Sequence, residues 1–323
     1  MGWKQQGSPS QLEINGQLVS KPSLIANSLN DYFISKVQKI REGIASTESN
    51  LSACEQIMRS KDCKLSMKFV PLSKVKTLLK KLKTSRSSAY DGLDNYCVKL
   101  SADYIASPLH HIISLSIMQN KFPTSWKYVK VVPLHKKGVL HDKKNYRPIA
   151  LLSPLGKVLE RVMFENIYNY FEANNIFHNN LHGYRHGRST KTAVLQMYDR
   201  WVKSADAGQF SGVVLLDLSA AFDLVDHCIL DRKLEAYGLD FDFRSWISSY
   251  LGGRCQSVWV DNVYSDFQSV DVGVPQGSIL GPLFFLVFYN DLPYILDCEL
   301  DAYADDSTLT YTAKSVDEIS DKL

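Results

Sequence analysis

Three aspartates stand where the chain is expected to turn. Asp217 closes the apolar run "GVVLLD" (212–217), and Asp305 and Asp306 sit in "YADD" (303–306), within "ELDAYADDSTLTYT" (299–312). That longer stretch alternates apolar and polar residues, which predicts strands, and the adjacent acids interrupt it as the tip of a β-hairpin. The run before Asp217 reads as a strand covered on both faces, so its last side chain emerges at the edge of a rigid platform. Should the hairpin acids converge on the same point, their mutual repulsion would call for a cation. Mg²⁺ suits such a site, because it takes a few hard carboxylates and keeps positions for water and substrate phosphates. Two such ions, about 3.5–4 Å apart, can activate an attacking hydroxyl and stabilise a leaving pyrophosphate. Each acid taken alone has a plainer reading as a turn residue or helix N-cap, so the chemistry rests on the combination.

The elements that must hold these acids mix two periodicities. Apolar residues at helical spacing predict helices over 22–40, 73–83, 101–120, 154–175, 190–205 and 241–251, and a further helix from about Ser219 to Tyr237 directly after Asp217. Short β runs are expected at 128–137, 212–217, 256–260 and 266–272, the last two joined by a turn at Asp261 and Asn262. A helix after Pro275 leads into the hairpin. Residues 1 to about 20 show no regular pattern, and 41–64 is polar and aperiodic, as a flexible linker would be. Interspersed strands and helices without an internal repeat predict an α+β fold.

At 323 residues the chain has room for one large or two to three ordinary domains, and 45% hydrophobic residues suffice for a sizeable core. The six cysteines include no C-x-x-C pair, which argues against a zinc site and for reduced thiols in the cytosol or nucleus. No membrane span is expected: the most apolar stretch, 279–296, is broken by Pro282, Asn290, Asp291 and Pro293. The net charge of +3 neither demands nor excludes nucleic acid, but its distribution is uneven. Between Arg59 and Arg86 lies a lysine-rich run whose only acid is Asp62, and from Lys121 to Arg147 the only acid is Asp142. Either run alone reads as a solvated face; together they favour a phosphate-binding surface.

Several segments, in order, carry a resemblance. "LLDLSAAFDLVDH" (215–227), "GVPQGSILGPLFFLVFYNDLP" (273–293) and "YADD" resemble three palm motifs of reverse transcriptases, specifically those of non-LTR (LINE-type, jockey-like) retrotransposons. "NYRPIALLSPLGKVLERVM" (145–163) resembles the fingers motif of the family, "LHGYRHGRST" (181–190) the segment linking fingers to palm, and "ANSLNDYF" (26–33) the region before the polymerase domain. The resemblance implies a right-hand fingers-and-palm architecture, with an antiparallel palm sheet packed on helices. It divides the chain into an N-terminal helical extension and linker (1–58), fingers and connecting helices (59–205) and a palm (206–323). The chain ends soon after the hairpin, so the thumb is expected to be absent and the chain to be a fragment of a larger reading frame, with an endonuclease domain elsewhere in the full-length protein.

The function implied is RNA-directed DNA polymerase, copying element RNA into DNA from a DNA primer and dNTPs, in the nucleus and cytoplasm. Asp217 and Asp305 would bind two Mg²⁺ ions, with Mn²⁺ as a substitute, Asp306 beside them in a lesser role and the Leu218 carbonyl completing a metal shell. Phe222 matches the ring that clashes with a 2′-hydroxyl and selects deoxynucleotides. Arg147 matches the fingers arginine that grips the triphosphate, with Lys136 or Lys137 as a second cation. Gln276 and Gly277 would let the backbone approach nucleotide and template, while Arg185 and Arg188 would meet template or primer phosphates. Asp223 and Asp226 read as helix-capping or salt-bridging residues. Loss of Asp217 or Asp305 would have pointed instead to a non-catalytic nucleic-acid-binding remnant, and both are present. Phe222 argues against an RNA-copying RNA polymerase, which must leave room for the 2′-hydroxyl.

Overall fold

Asn15 and Gly16 both adopt positive φ, at 51° and 79°, the pairing that a two-residue type I′ hairpin turn requires. They join β1 (Leu12–Ile14) to β2 (Gln17–Val19), so part of the stretch expected to be irregular is a hairpin, and the Asn-Gly signal was there to be read. The computed structural model describes residues 9–44, 51–59 and 61–322. After the hairpin come α1 (Pro22–Glu42), α2 (Ser52–Met58), α3 (Leu72–Lys80), α4 (Asn95–Leu100) and α5 (Ala102–Met118), then β3 (Tyr128–His135) and β4 (Tyr146–Leu151). The middle of the chain holds α6 (Pro154–Ala173), α7 (Thr190–Asp206), β5 (Phe210–Asp217), α8 (His227–Ala236) and α9 (Phe241–Leu251). It finishes with β6 (Arg254–Val260), β7 (Val263–Tyr264), β8 (Gln268–Val270), α10 (Leu280–Tyr289), β9 (Glu299–Tyr303), β10 (Asp306–Ala313) and α11 (Val316–Lys322). The fold is α+β, as expected.

One sheet runs β4-β3-β6-β7 with β8 also paired to β6, and a three-stranded antiparallel sheet runs β5-β10-β9. The first draws its strands from distant parts of the chain: β3 pairs β4 antiparallel but β6 parallel. α1 lays Ile25, Leu29 and Phe33 on this sheet against Val129, Val131 and Val258, a small core of its own. The larger core lies among the helices, with Trp246, Tyr250, Phe284 and Phe171 fully buried. Each such ring contributes about 1.5–3 kcal/mol on burial.

Three further expectations fail. Within the expected linker, α2 buries Ala53, Cys54 and Ile57, whose helical spacing is too short a signal to stand out; residues 45–50 and 60 of that linker lie outside the described residues. The helix expected from Ser219 begins only at His227, because Ala220 takes φ +57° and Asp226 caps α8, its Oδ1 accepting from the Cys228 and Ile229 amides. β5 is not covered on both faces. It is an edge strand of its sheet, and Leu215 is 79% exposed.

The loop after α6 is tied down by Asn290, fully buried at the end of α10. Its Oδ1 accepts from the His178 amide at 2.8 Å and its Nδ2 donates to the Ile176 carbonyl at 3.0 Å. Asn290→Leu would leave both partners buried and unpaired. The expected loss is about 2–4 kcal/mol of unfolding free energy, read from urea denaturation.

Candidate active site

The three aspartates meet at one end of the small sheet. β10 pairs with β5 from Asp306 opposite Asp217 to Ala313 opposite Phe210, and with β9 from Asp306 opposite Tyr303. Ala304 and Asp305 are left as a two-residue loop, with φ +60° at Ala304 only, the pattern of a II′ turn. Directly opposite residues have Cα atoms about 4.5–5.5 Å apart and side chains on one face. Asp306 is therefore the cross-strand partner of Asp217, with Asp305 next to it in the turn. None of the three forms an ion pair among the described residues. Leu218, next to Asp217, packs its side chain against the main core.

The turn after Asp217 is strapped to the segment before α10. The Val274 amide donates to the Phe222 carbonyl at 2.8 Å and Gly273 to Val225 at 2.9 Å. Gln276 Nε2 donates to both oxygens of Asp223, at 2.8 and 2.9 Å. Burial pushes the Asp223 carboxyl above its ordinary range, and the Gln276 amide pulls it back. Asp223 thus occupies the amide nitrogen of Gln276, leaving its carbonyl oxygen for a ligand. Asp226 caps α8 and pairs with Arg41 at 2.9 Å, the structural part expected of it.

The same segment reaches the first sheet. The Ala150 amide donates to the Gln276 carbonyl at 3.1 Å, and a Cβ on Gly277, at φ +110°, would lie 2.7 Å from the Ala150 carbonyl oxygen. Only glycine permits that approach. Arg147, three residues before Ala150 on β4, is exposed and makes no ion pair among the described residues. It lies opposite Leu134, and the Lys136 amide extends the ladder by donating to the Asn145 carbonyl at 2.8 Å. Lys136, two positions beyond Leu134, therefore shares the face of Arg147, while Lys137 does not share that alternation. Both lysines are exposed.

Residues 180–184 lie alongside β9. The Ala302 amide donates to the Asn180 carbonyl at 3.0 Å and the His182 amide to the Ala302 carbonyl at 2.8 Å. A Cβ on Gly183 would fall 2.2 Å from the Ala304 nitrogen, so two backbones touch at the YADD turn. Tyr184 follows at φ +60°, its ring edge-on to Phe222 at 6.0 Å. Burial, with Asp305 and Tyr303 nearby, raises its hydroxyl above the ordinary range. Gly183 and Tyr184 were not among the expected site residues; a glycine beside an aromatic ring was the available signal. Arg185, expected on nucleic acid, is instead internal, its side chain 7% exposed: Nε and Nη2 each reach Glu172 at 2.9 Å and Nη1 donates to the His178 carbonyl. Arg188 donates to the carbonyl and side-chain oxygens of Asn179. Both arginines hold the loop that carries Gly183.

The basic runs are also partly spent internally. Lys74 pairs with Glu165, and Lys76 and Lys80 both pair with Asp103, acids supplied by other elements. Lys130 is buried, with its ammonium 3.9 Å from the centre of the Trp259 ring.

A family model described as reverse transcriptase (RNA-dependent DNA polymerase) matches residues 134–321, more than half of the chain. The chain belongs to the reverse transcriptase family. It is 30% identical over 289 residues to the probable RNA-directed DNA polymerase from transposon BS of Drosophila melanogaster, covering 85% of this chain and 31% of the relative. It is 28% identical over 261 residues to the RNA-directed DNA polymerase from mobile element jockey of the same fly, covering 78% of this chain and 28% of the relative. A putative 115 kDa protein in type-1 retrotransposable element R1DM is 32% identical over 256 residues, 75% of this chain and 23% of the relative. These relatives support a jockey-like, non-LTR reverse transcriptase domain, and the chain spans about a third or less of their length.

The donors of this reverse transcriptase domain fit a hard divalent ion. Among the described residues no group of three or more His, Cys, Asp or Glu closes into a metal cage. Carboxylates at an open sheet end, without an internal cation to neutralise them, are the hard oxygen donors of which Mg²⁺ takes only one or two from a protein.

Two predictions test how the turn is held. Gly183→Ala should push the Ala304 backbone away and lower stability by about 1–3 kcal/mol in urea denaturation. His182 is buried beside the hairpin, its Nδ1 3.1 Å from Thr192 Oγ1 and its Nε2 without a partner. Burial, aided by Arg188, Arg185 and Arg200, pushes its pKa down to about 4. The unfolded chain, with His at about 6.5, takes up a proton that the folded one refuses, so stability is lost as pH falls from about 6.5 to 4. Urea midpoints across that window should fall less steeply for His182→Asn than for the wild type.

Proposed function

We propose that this domain is the catalytic part of an RNA-directed DNA polymerase of a non-LTR retrotransposon, extending a DNA primer with dNTPs on an RNA template. The observation that carries the reading is the strand register: it places Asp217 opposite Asp306 with Asp305 in the adjoining turn, and the strapped turn sets Phe222 and Gln276 nearby. In right-hand terms, the small sheet with α10 is the palm (206–323) and β3 and β4 belong to the fingers (59–205), which β6–β8 complete from within the later segment. Residues 1–58 are an N-terminal extension that α1 docks on the fingers sheet.

Asp217 and Asp305, with Asp306 beside them and the Leu218 carbonyl, are the donors that would hold two Mg²⁺ ions, or Mn²⁺ in their place. When bound, such ions lower the pKa of a primer 3′-hydroxyl and stabilise departing pyrophosphate in an in-line displacement at the α-phosphate. The chain's own side chains bind and orient. Arg147 offers planar donors to the triphosphate, and the register supports Lys136 over Lys137 as the second cation. Phe222 excludes a 2′-hydroxyl. The Gln276 side-chain oxygen Oε1 and the backbone at Gly277 approach the nucleotide and the templating base, while base pairing reads the sequence. Exposed lysines of the basic runs hold backbone phosphates. Arg185 and Arg188 order the linking loop, a role that their internal bonds support over phosphate contact. The six free cysteines accord with a nuclear and cytoplasmic location. No described helix is long and apolar enough to cross a membrane. An endonuclease domain elsewhere in the full-length protein belongs to the same proposal.

Primer extension on an RNA template with Mg²⁺ and dNTPs tests the reading, in this chain and in the intact native protein that carries it. Wild type should make cDNA, and Asp305→Asn should lower the rate by at least about 10³-fold while leaving template–primer binding in place. Binding without extension in both wild-type forms would sink the polymerase reading and leave a nucleic-acid-binding remnant.

A further inference from the structure

We infer that Tyr184 is a positioning residue for nucleotide choice: its ring holds the Phe222 ring in place, and discrimination of deoxy- from ribonucleotides depends on it. The inference rests on Phe222 being the sugar-facing ring.

Phe222 lies in a turn rather than a helix, between Ala220 at φ +57° and the α8 cap, so no helical neighbours confine its side chain. Other rings do. On one side it stacks on Phe285 at 4.8 Å with planes 24° apart, and Phe285 stacks on Tyr289 at 5.5 Å and 18°. That side is rigid, since Phe285 and Tyr289 belong to α10 and the Tyr289 hydroxyl meets Ser307 Oγ on β10 at 2.8 Å. Beyond its packing on the main core, the other ring contact is Tyr184, perpendicular to Phe222 at 89°, the favourable edge-to-face arrangement.

Tyr184 is itself held at some cost. A left-handed backbone is uncommon for a bulky residue and persists only where the surroundings enforce it. Here the enforcement is the packing of Gly183 on the Ala304 backbone, with the hydrogen bond from His182 to Ala302 just before it. The same short loop thus touches the turn that carries Asp305 and the ring matched to the sugar. The distance between metal-binding acid and sugar pocket is set through two adjacent residues, Gly183 and Tyr184. Tyr184 is 44% exposed, so its ring does more than fill the core.

The test uses the intact native protein and single-nucleotide incorporation opposite a templating rC, comparing kcat/KM for dGTP and rGTP. Tyr184→Ala should lower the dGTP-to-rGTP ratio by about tenfold, mainly through a lower KM for rGTP, and Tyr184→Phe should keep it. An equal loss in Tyr184→Phe would overturn the inference, because the hydroxyl near Asp305 rather than the ring would then matter. Phe222→Val separates the two layers of the reading. If Phe222→Val collapses the ratio while Tyr184→Ala leaves it unchanged, the inference fails and the sugar-facing role of Phe222 stands. If Phe222→Val leaves the ratio unchanged, that role fails and the inference falls with it. Should Tyr184→Ala extend nothing, trapping dGTP or rGTP in a stalled complex on a dideoxy-terminated primer reads the same preference as binding. A lowered preference supports the inference, and a wild-type preference overturns it.

Discussion

The site depends on one pairing register. β10 is the middle strand of its sheet, and every residue from Asp306 to Ala313 has a fixed partner on β5. A slip of one residue would send alternate side chains to the opposite face and separate Asp217 from the hairpin acids. One contact outside the ladder opposes such a slip: Ser307, next to Asp306, is buried with its hydroxyl on Tyr289 of α10. The two-residue turn fixes β10 against β9, so the hairpin that carries Asp305 and Asp306 keeps its own register.

What surrounds that end is mostly backbone. The 180–184 loop meets β9 and the turn through main-chain bonds and Gly183; the strap 273–277 meets the turn after Asp217 and β4 through main-chain bonds and Gly277. Main-chain contacts vary little with side-chain rotamer, so they hold positions more tightly than packed side chains of the same number. The buried Glu160 of α6 completes this frame, since its carboxylate accepts from the Ile279 amide at 2.7 Å where α10 begins. A negative group at a helix N-terminus is favourable there even though burial raises its pKa.

Much of this is legible in the sequence. The long helices announce themselves by apolar spacing, and alternation around YADD marks the hairpin. The errors have a common physical source. An apolar run says that a strand is fit for burial but not what lies on its second face, so "GVVLLD" gave no hint that β5 is an edge with Leu215 in solvent. A periodic stretch says nothing of a single left-handed residue, so Ala220 cut short the helix expected from Ser219. Charge read along the chain omits acids brought from elsewhere: Glu172 claims Arg185, Asp103 claims two lysines, and the Trp259 ring covers Lys130. For Tyr184 the Gly-Tyr pair was a signal, but its ring contact is with a residue 38 positions away, which no local pattern shows.

Opposite charges end up on different sheets. The acids Asp217, Asp305 and Asp306 stand on the small sheet, whereas Arg147 and Lys136 stand on the hairpin of β3 and β4, whose own core is the separate cluster under α1. The segment before α10 meets the first sheet near the site, where Gln276 and Gly277 reach Ala150 through one hydrogen bond and one close backbone approach. Under the proposed polymerase reading a nucleoside triphosphate, with its negative charge at one end and its sugar and base at the other, would draw on both sheets: on Arg147 and Lys136 of the β3–β4 hairpin for its phosphates, and on the side of Phe222, held between its rings, and Asp305, held in its turn, for its sugar and the reacting end.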